Sequence, residues 1–410
     1  MSNDRHKNHG PGPHTHDHGH DHDHAGHDHA HGHHDHDHSH DDDMDPALQA
    51  GWEALEAGDV AAARAAARVA IDGAGVNAGG ARGRKPPAAE SDGEDAKARL
   101  IDGLLLEAAC GREEDDAEAA LASLTRIVKE DPEWCTPELW IGEILAEDDE
   151  RRDEALRHAR RALDLAEEED EYLAALALKA AIELDLDRPT EARRTLEGLP
   201  PADVALDEPA LTLQFAELLI DADDVAQART RLETLTAAEP ELADGWYLLG
   251  MCAELQGDEA TQRQAWLKTR ALDLASVDRD DDGDGDEERP KLTEDALVAV
   301  AEQALAELPD ELRKLLSNVP IVVAEVPAET DVGAGVDPRL LGLFSGSPHS
   351  ESGGVMSPAA LTEIVLFRRN IERAAPDEEA VHEEVRVTLL HEAGHFFGLD
   401  EAALARLGLD

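Results

Sequence analysis

Several residue types and patterns are scarce in this 410-residue chain, and each scarcity excludes a class of protein. Basic residues number 37 against 93 acidic residues, which gives a formal net charge of −56. Nucleic acid and anionic membrane surfaces are therefore excluded as expected partners, because both would be repelled. No apolar run approaches the roughly 20 residues that cross a bilayer, and the N-terminus lacks the charged-then-apolar pattern of a signal peptide. We therefore expect a soluble cytoplasmic protein.

Cysteine and aromatic residues are also few, and they are unevenly placed. The three cysteines, Cys110, Cys135 and Cys252, are an odd and sparse set, so no disulfide framework is expected. All three precede residue 276, as do the five tryptophans and both tyrosines. A site in the C-terminal part of the chain therefore has no thiolate ligand and no tyrosine of its own to stabilise an oxyanion.

Histidine, by contrast, is concentrated in one segment. Residues 1–43 hold 16 of the 21 histidines, mostly alternating with Asp and Gly. This segment has almost nothing apolar to bury, so we expect it to be disordered. Imidazole binds Zn²⁺, Ni²⁺ and Cu²⁺, and closely spaced His and Asp predict weak binding of metal at many positions. The segment is either a metal buffer that feeds zinc to a C-terminal site, or a solvated tail whose metal binding is incidental.

Residues 44–275 have the composition of successive helices, rich in Ala, Leu, Glu and Arg. A W-x-x-L-G pattern begins at Trp246, shortly after Pro240, and apolar or small residues, among them Phe215 and Ala216, occupy the equivalent positions one repeat earlier. Trp140 and Trp52 mark two less regular units. Paired helices with a period of about 34 residues resemble tetratricopeptide repeats. That resemblance implies an all-α array, with a concave surface that can hold a protein partner.

Two stretches interrupt this pattern. Residues 73–95 contain Gly and Pro and are predicted to be a flexible insertion. Residues 276–291 are strongly acidic and partly imitate a calcium loop, but Arg289 occupies the position of its bidentate Glu. We interpret them as a charged linker. The domains predicted are thus a tail (1–43), helical repeats (44–275), a linker (276–291) and a C-terminal domain (292–410).

The C-terminal domain is predicted to mix helices and strands. Thr293 and the acidic residues after it favour a helix start. Residues 321–326 are a strand candidate between two prolines, and 363–369 are a second one. Residues 328–359 are rich in Gly, Pro and Ser and are predicted to be loop, whereas a long helix is expected from residue 377 onward.

That last helix carries an H-E-x-x-H motif. His391 and His395 are four residues apart, so they share a helix face and both imidazoles can reach one metal ion. Glu392 lies about 100° further round the helix, in the position of a general base that acts on a water at the metal. Gly398 is suited to end the helix and turn the chain back. The turn would bring Asp400 to the metal as third ligand, with its neighbour Glu401 as the alternative.

The C-terminal domain resembles the small bacterial minimal zincin metallopeptidases. The likeness rests on the extended motif H-E-x-x-H-x-x-G-x-x-D at 391–400 and on residues 307–327, 340–346 and 363–376. It implies a compact α+β fold, with Zn²⁺ bound by His391, His395 and Asp400 and with Glu392 as base. It also implies that an extended peptide pairs with the edge of strand 363–369. Arg368 and Arg369 would alternate between the faces of that strand, so that one faces the cleft or both are solvent-facing strand charges.

The two remaining histidines of this domain are expected to be less important. His382 lies nine residues before His391, which puts it half a turn out of phase with the motif and on the surface. His349 belongs to the predicted loop and is a weak candidate for a role near the site.

The chain is thus predicted to be a multidomain protein in which tetratricopeptide-like repeats precede a small zincin-like α+β domain. Its predicted function is a zinc metallopeptidase that hydrolyses a protein or peptide substrate with a zinc-activated water and Glu392 as general base, while the repeats bind a protein partner. Two alternatives remain. The chain is a repeat scaffold whose zincin domain is inactive or structural, or it is a metal-buffering protein that acts through its histidine-rich tail.

Overall fold

The computed structural model describes residues 45–79, 91–280, 293–307, 319–345, 363–375 and 378–396. The chain divides into two compact units, one formed by His33–Gln262 and the other containing Arg263–Asp410. The division falls within a helix. The sequence predicted that the repeats end at residue 275, which lies in the second unit.

The first unit is built from helices. Those described are α1 (Pro46–Glu56), α2 (Val60–Gly79), α3 (Ser91–Glu113), α4 (Ala117–Glu130), α5 (Cys135–Ala146), α6 (Arg152–Leu165), α7 (Glu169–Asp185), α8 (Pro189–Leu196), α9 (Pro209–Asp221), α10 (Val225–Ala238), α11 (Ala243–Leu255) and the start of α12 (Glu259–Asp280). A 3₁₀ turn (Asp149–Arg151) precedes α6. Within this unit each helix packs on the helix next to it in the chain, from α1 to α11.

The same turn closes five of the helix pairs. One residue in each turn has positive φ, and the next residue donates its N–H to the carbonyl oxygen five positions earlier, as in a left-handed helix cap. The residues with positive φ are Gly58, Asp115, Asp187, Asp223 and Gly257. In four of the five turns the following residue is an Asp whose Oδ1 accepts an N–H of the next helix, namely Asp59, Asp116, Asp224 and Asp258.

Helix starts confirm the period read from the sequence. α5 begins at Cys135 and α7 at Glu169, and this interval equals the one between Pro209 of α9 and Ala243 of α11. Both match the period of about 34 residues that is typical of tetratricopeptide repeats. The interval between α7 and α9 is longer, because the connection after α8 is extended. The first unit is the predicted array of helical repeats.

Helices extend into both predicted interruptions. α2 continues to Gly79 and α3 begins at Ser91, so the insertion predicted at 73–95 was too wide at both ends. α12 continues to Asp280, so the first five residues of the predicted acidic linker are helical. Residues 80–90, 281–291 and the histidine-rich segment 1–43 lie outside the described residues.

The second unit adds a small sheet to helices. After α12 its elements are α13 (Glu294–Glu307), β1 (Ile321–Ala324), α14 (Glu329–Val332), β2 (Gly342–Ser345), β3 (Glu363–Phe367), α15 (Arg368–Ala374) and α16 (Glu378–Phe396). The described strands are ordered β1-β3-β2. β1 is parallel to β3, with Ile321 opposite Ile364, and β2 is antiparallel to it, with Leu343 opposite Val365.

One core joins this sheet to α13 and α16. Thr293 starts α13 as predicted, because its Oγ1 accepts the N–H of Ala296 at 3.2 Å. Alternate residues of β3, Ile364 and Leu366, are fully buried, as the two-residue period of a strand requires. They belong to one apolar cluster with residues of α13, α15 and α16, including Leu297, Ile371, Val381, Val385 and Leu389.

Neither a disulfide nor a membrane-spanning helix occurs among the described residues. All three cysteines are free and buried. Burial raises the pKa of Cys135 and of Cys252 to about 12. Among the helices of the described ranges, none combines the length and the apolar composition needed to cross a bilayer.

Candidate metal centre

The backbone of α16 carries the H-E-x-x-H motif. The helix extends from Glu378 to Phe396 and therefore includes His391, Glu392 and His395. Its earlier turns are fixed by Val381, Val385 and Leu389, which are at most 1% exposed and pack in the core with α13 and β3. A buried stripe at this spacing holds the helix against the sheet.

Helix geometry brings the two motif histidines to one side of α16. Four residues correspond to a rotation of about 40° beyond one full turn and a rise of about 6 Å. His391 and His395 follow Glu384 and Thr388, respectively, by seven residues, so the four positions form one row along the helix. The predicted helical context of the motif is confirmed.

The predicted third ligand Asp400 and its alternative Glu401 lie outside the described residues, as do Gly398 and His349. The side chains of His391, Glu392 and His395 are not among those described. Among the side chains that are described, no group of three or more His, Cys, Asp or Glu could hold a metal ion. Zinc binding by His391, His395 and Asp400 therefore stays a prediction. His382 is exposed, as predicted.

The predicted strand 363–369 ends earlier than expected. β3 stops at Phe367, and Arg368 and Arg369 open α15. Both guanidinium groups bind the carboxylate of Glu325, with Arg368 Nη2 and Arg369 Nε each 2.6 Å from its Oε2. The prediction that these arginines alternate across a strand was wrong, since the ion pairs and the turn of helix bring both to the same carboxylate.

These contacts set the electrostatics of Glu325. The hydrogen bond from Arg368 and then the one from Arg369 hold the pKa of Glu325 below its usual value, against an opposing effect of desolvation. Arg368 also binds Glu372 one turn along α15, with 2.8 Å between Nη1 and Oε1. The two arginines are thus engaged within the fold.

The predicted use of strand 363–369 as a peptide-binding edge was also wrong. β3 lies between β1 and β2 and is hydrogen-bonded on both sides. The outer strands of the described sheet are β1 and β2. A sequence pattern alone did not distinguish a central strand from an edge strand of this length.

Strand β2, which the sequence analysis placed in a loop, packs against α16. A Cβ built on Gly342 would lie 2.5 Å from Cγ2 of Thr388 and 3.2 Å from the carbonyl oxygen of Val365. Glycine is therefore required for this close approach of strand and helix. The signal available in the sequence was a short Leu-Gly-Leu-Phe run, too brief to indicate a strand by alternation.

Glu384 is a further acidic residue near the motif that sequence analysis missed. It is partly buried and lies two helical turns before His391. Burial, and then the charge of Glu383, raises the pKa of Glu384 above its usual value. The spacing of seven residues from His391 was the signal that could have identified it.

Comparison with known proteins identifies a family for the C-terminal part of the chain. Residues 316–409 match the family model described as zincin-like metallopeptidase. The chain therefore carries a zincin-like metallopeptidase region at its C-terminal end, fused to tetratricopeptide-like helical repeats. No curated protein was found to match the chain.

Solved structures similar to this chain include repeat proteins. PilF of Pseudomonas aeruginosa is 16% identical, with 57% of this chain and 94% of that chain covered and a TM-score of 0.39. YrrB, described as a TPR protein with an unusual peptide-binding site, is 17% identical over 47% of this chain and 100% of its own, with a TM-score of 0.35. A tetratricopeptide repeat protein from Parabacteroides merdae is 13% identical over 66% of this chain and 95% of its own, with a TM-score of 0.37.

Proposed function

We propose that the C-terminal region is a zinc-dependent peptidase and that the helical repeats hold a protein partner. The observation that carries this proposal is the unbroken helix α16, whose backbone runs through His391, Glu392 and His395 within the region that matches the zincin-like family model. The donor types suit zinc, since imidazole nitrogen and carboxylate oxygen are common Zn²⁺ ligands. No competing thiolate occurs in this region, because the cysteines all precede residue 276.

In this proposal the chain supplies three ligands and one base. His391, His395 and Asp400 would hold the zinc and leave one position open. When bound, the metal supplies a Lewis acid that polarises a carbonyl group and lowers the pKa of a water molecule to about 7. The carboxylate of Glu392 takes a proton from the attacking water and then delivers it to the nitrogen of the departing amine.

The substrate is proposed to be an extended peptide bound beside β2. Within the described sheet β2 has a neighbour on one side only, and it is the outer strand that packs against the motif helix. An outer strand offers free N–H and C=O groups for pairing with another chain. The position of β2 relative to α16 would bring such a peptide alongside the row that contains His391 and His395.

The repeats are proposed to choose or hold a protein. Stacked helix pairs generate an extended concave surface that suits a protein or peptide ligand. The support in this chain is the recurrence of the helix pairs with a common turn, from Gly58 to Gly257.

The first test measures zinc and turnover in a chain that lacks residues 1–43, because the histidines of that segment would obscure the stoichiometry. We expect about one zinc per chain, lost or greatly weakened in His391→Ala and in Asp400→Ala. Glu392→Gln is expected to keep its zinc and to lose peptidase turnover by about 100-fold or more. Glu302→Gln, an exposed position on α13, is the matched control for loss of one negative charge and is expected to behave as the parent.

Other outcomes favour the alternatives. A chain without residues 1–43 that holds no zinc would contradict the peptidase proposal and favour metal buffering by the tail. Zinc retained with no turnover above that of Glu392→Gln would favour a scaffold whose zincin region is structural.

A further inference from the structure

A buried carboxylate outside the family-matched region makes three ion-pair hydrogen bonds to the candidate peptidase. Asp273 of α12 is 6% exposed. Its Oδ2 and Oδ1 bind Nε and Nη2 of Arg339 at 3.1 and 3.2 Å, and its Oδ2 binds Nη1 of Arg373 at 2.8 Å. Arg339 lies shortly before β2, and Arg373 lies in α15. One carboxylate thus joins three segments that are far apart in the chain.

Two further residues of α12 bind the connection between β1 and β2. Arg263 Nε donates to the carbonyl oxygen of Gly333 at 2.6 Å, and Arg270 Nε donates to that of Pro327 at 2.7 Å. Together with Asp273, α12 therefore holds this connection at three places. All of these residues belong to the unit that contains Arg263–Asp410.

The same connection is held from its other side by α15 and β3. Asn370 is buried, and its Nδ2 donates to the carbonyl oxygens of Pro338 and Leu340 at 2.9 and 2.8 Å. The N–H of Phe367 donates to the carbonyl oxygen of Leu341 at 2.8 Å. The four residues before β2 are therefore fixed between α12 on one side and α15 with β3 on the other.

The residues held in this way lead directly into β2, which contacts the motif helix α16. Gly342, the first residue of β2, leaves no room for a Cβ beside Cγ2 of Thr388, which is three residues before His391. Gly342 directly follows the restrained residues 338–341, so a shift of Arg339 and its neighbours would act on this contact between β2 and α16. The ion pairs of Asp273 and the position of β2 are thus linked by a short, well-packed path.

We propose that Asp273 is a positioning residue of the peptidase, which acts through Arg339 and Arg373 to hold β2 beside the helix that carries His391, Glu392 and His395. This inference rests on the proposed function. It extends the peptidase towards the N-terminus, because Asp273 precedes residue 316, where the match to the zincin-like model begins. A buried carboxylate shared by two guanidinium groups is costly to lose, since its removal takes away the acceptor that joins Arg339 to Arg373.

The experiment compares the full-length chain with Asp273→Asn, which keeps the size of the side chain and removes its charge. Hydrogen exchange is measured for peptides that cover 338–345 and 294–307, together with kcat and KM. We expect faster exchange in 338–345 with little change in 294–307. The ratio kcat/KM should fall by about 10- to 100-fold, mainly through KM.

The control is Asp153→Asn, which removes an exposed carboxylate that pairs with Arg188 in the repeat unit. It is expected to leave both exchange and kinetics unchanged. If Asp273→Asn does not fold, Arg339→Lys replaces it. Lysine keeps the positive charge but cannot form the bidentate contact with both carboxylate oxygens of Asp273. Arg339→Lys is expected to give the same selective increase in exchange, with a smaller change in KM.

Two results would overturn the proposal. Unchanged exchange in 338–345 would show that Asp273 does not hold β2, and an equal increase in 294–307 would show that it stabilises the unit without a specific effect on that strand. Failure of the proposed function is distinguishable from both. In that case the parent chain shows no turnover, while the exchange measurement still reports on β2.

Discussion

The two units of this protein differ in the range of the contacts that stabilise each of them internally. In the repeat unit each helix packs on its neighbour in the chain, and the turns repeat one local hydrogen-bond pattern. In the C-terminal unit the decisive contacts join distant residues, such as Ile321 with Ile364 in the sheet and Asp273 with Arg373. A pattern repeated along the sequence can therefore predict the first unit, whereas the second depends on pairings that no local pattern specifies.

The largest expected difference concerns substitutions in the two cores. Leu366 in central strand β3 and Leu232 in α10 are both fully buried. Replacement of either by Ala is expected to lower the free energy of unfolding of its own unit by about 2–5 kcal/mol. Hydrogen exchange should then increase mainly in residues 294–396 for Leu366→Ala and mainly in the helices near α10 for Leu232→Ala. Equal loosening of both units by either variant would contradict the division at Arg263.

Replacement of a glycine by alanine is expected to change the free energy of unfolding in opposite directions at one position of each unit. Gly342→Ala brings a Cβ within 2.5 Å of Thr388 Cγ2 and should destabilise the C-terminal unit by about 1–3 kcal/mol. Gly73→Ala lies in helix α2 with nothing within 4 Å of the added Cβ, and it should stabilise the repeat unit by about 0.4–1 kcal/mol. Urea unfolding followed by circular dichroism measures both.

The steric explanation of the Gly342 effect has its own control. Thr388→Ser removes Cγ2 and should restore much of the stability of Gly342→Ala. A double variant no more stable than Gly342→Ala would show that the cost arises elsewhere, for instance at the carbonyl oxygen of Val365, which is 3.2 Å from the added Cβ.

The smallest expected effect is a dependence of stability on pH. The pKa of Glu325 is lowered in the folded state, first by Arg368 and then by Arg369. Its stabilising contribution is therefore present above the unfolded pKa, near 4.5, and is lost as pH falls through the lower folded pKa. Because this carboxylate is about half exposed, we expect an effect of less than about 1 kcal/mol.

Glu325→Gln tests this expectation. The variant should be slightly less stable than the parent at pH 7. The difference should shrink as pH falls below 4.5 and disappear once pH is below the folded-state pKa, as measured by thermal unfolding across that range. The repeat unit offers a comparison in Asp258, whose pKa is lowered to about 2, chiefly by hydrogen bonds from Thr261. Asp258→Asn should likewise be less stable than the parent at pH 7, and this difference in stability should persist to lower pH than that of Glu325→Gln. A difference that grows towards low pH would contradict the assignment in either unit.

The features predicted correctly from the sequence depend on neighbouring residues. The period of the repeats located the helix pairs, Thr293 located the start of α13, and the spacing of His391 and His395 placed the motif on a helix. Each of these signals is expressed within one or two turns of helix or within one repeat. The turn of a positive-φ residue followed by Asp was a further local signal, visible at Gly58-Asp59 and at Gly257-Asp258, and it would have indicated the less regular repeats.

The features that were missed depend on contacts between distant segments. β3 is central because β1 and β2 pair with it from either side, and no residue within 363–369 encodes that arrangement. Arg368 and Arg369 leave the strand because Glu325, which directly follows β1 in a distant part of the chain, binds both. β2 was assigned to a loop because a four-residue strand containing Gly342 has too little alternation to recognise.

The sequence by itself therefore determined the repeated helices, the helix that carries His391, Glu392 and His395, and the net charge of −56. Only the tertiary structure decided which strand is central, which residues surround Asp273, and how closely β2 approaches the motif helix. The physical reason is the range of the interactions. Helix periodicity and capping act over a few residues, whereas strand order and buried ion pairs are fixed by groups that meet only after the chain has folded.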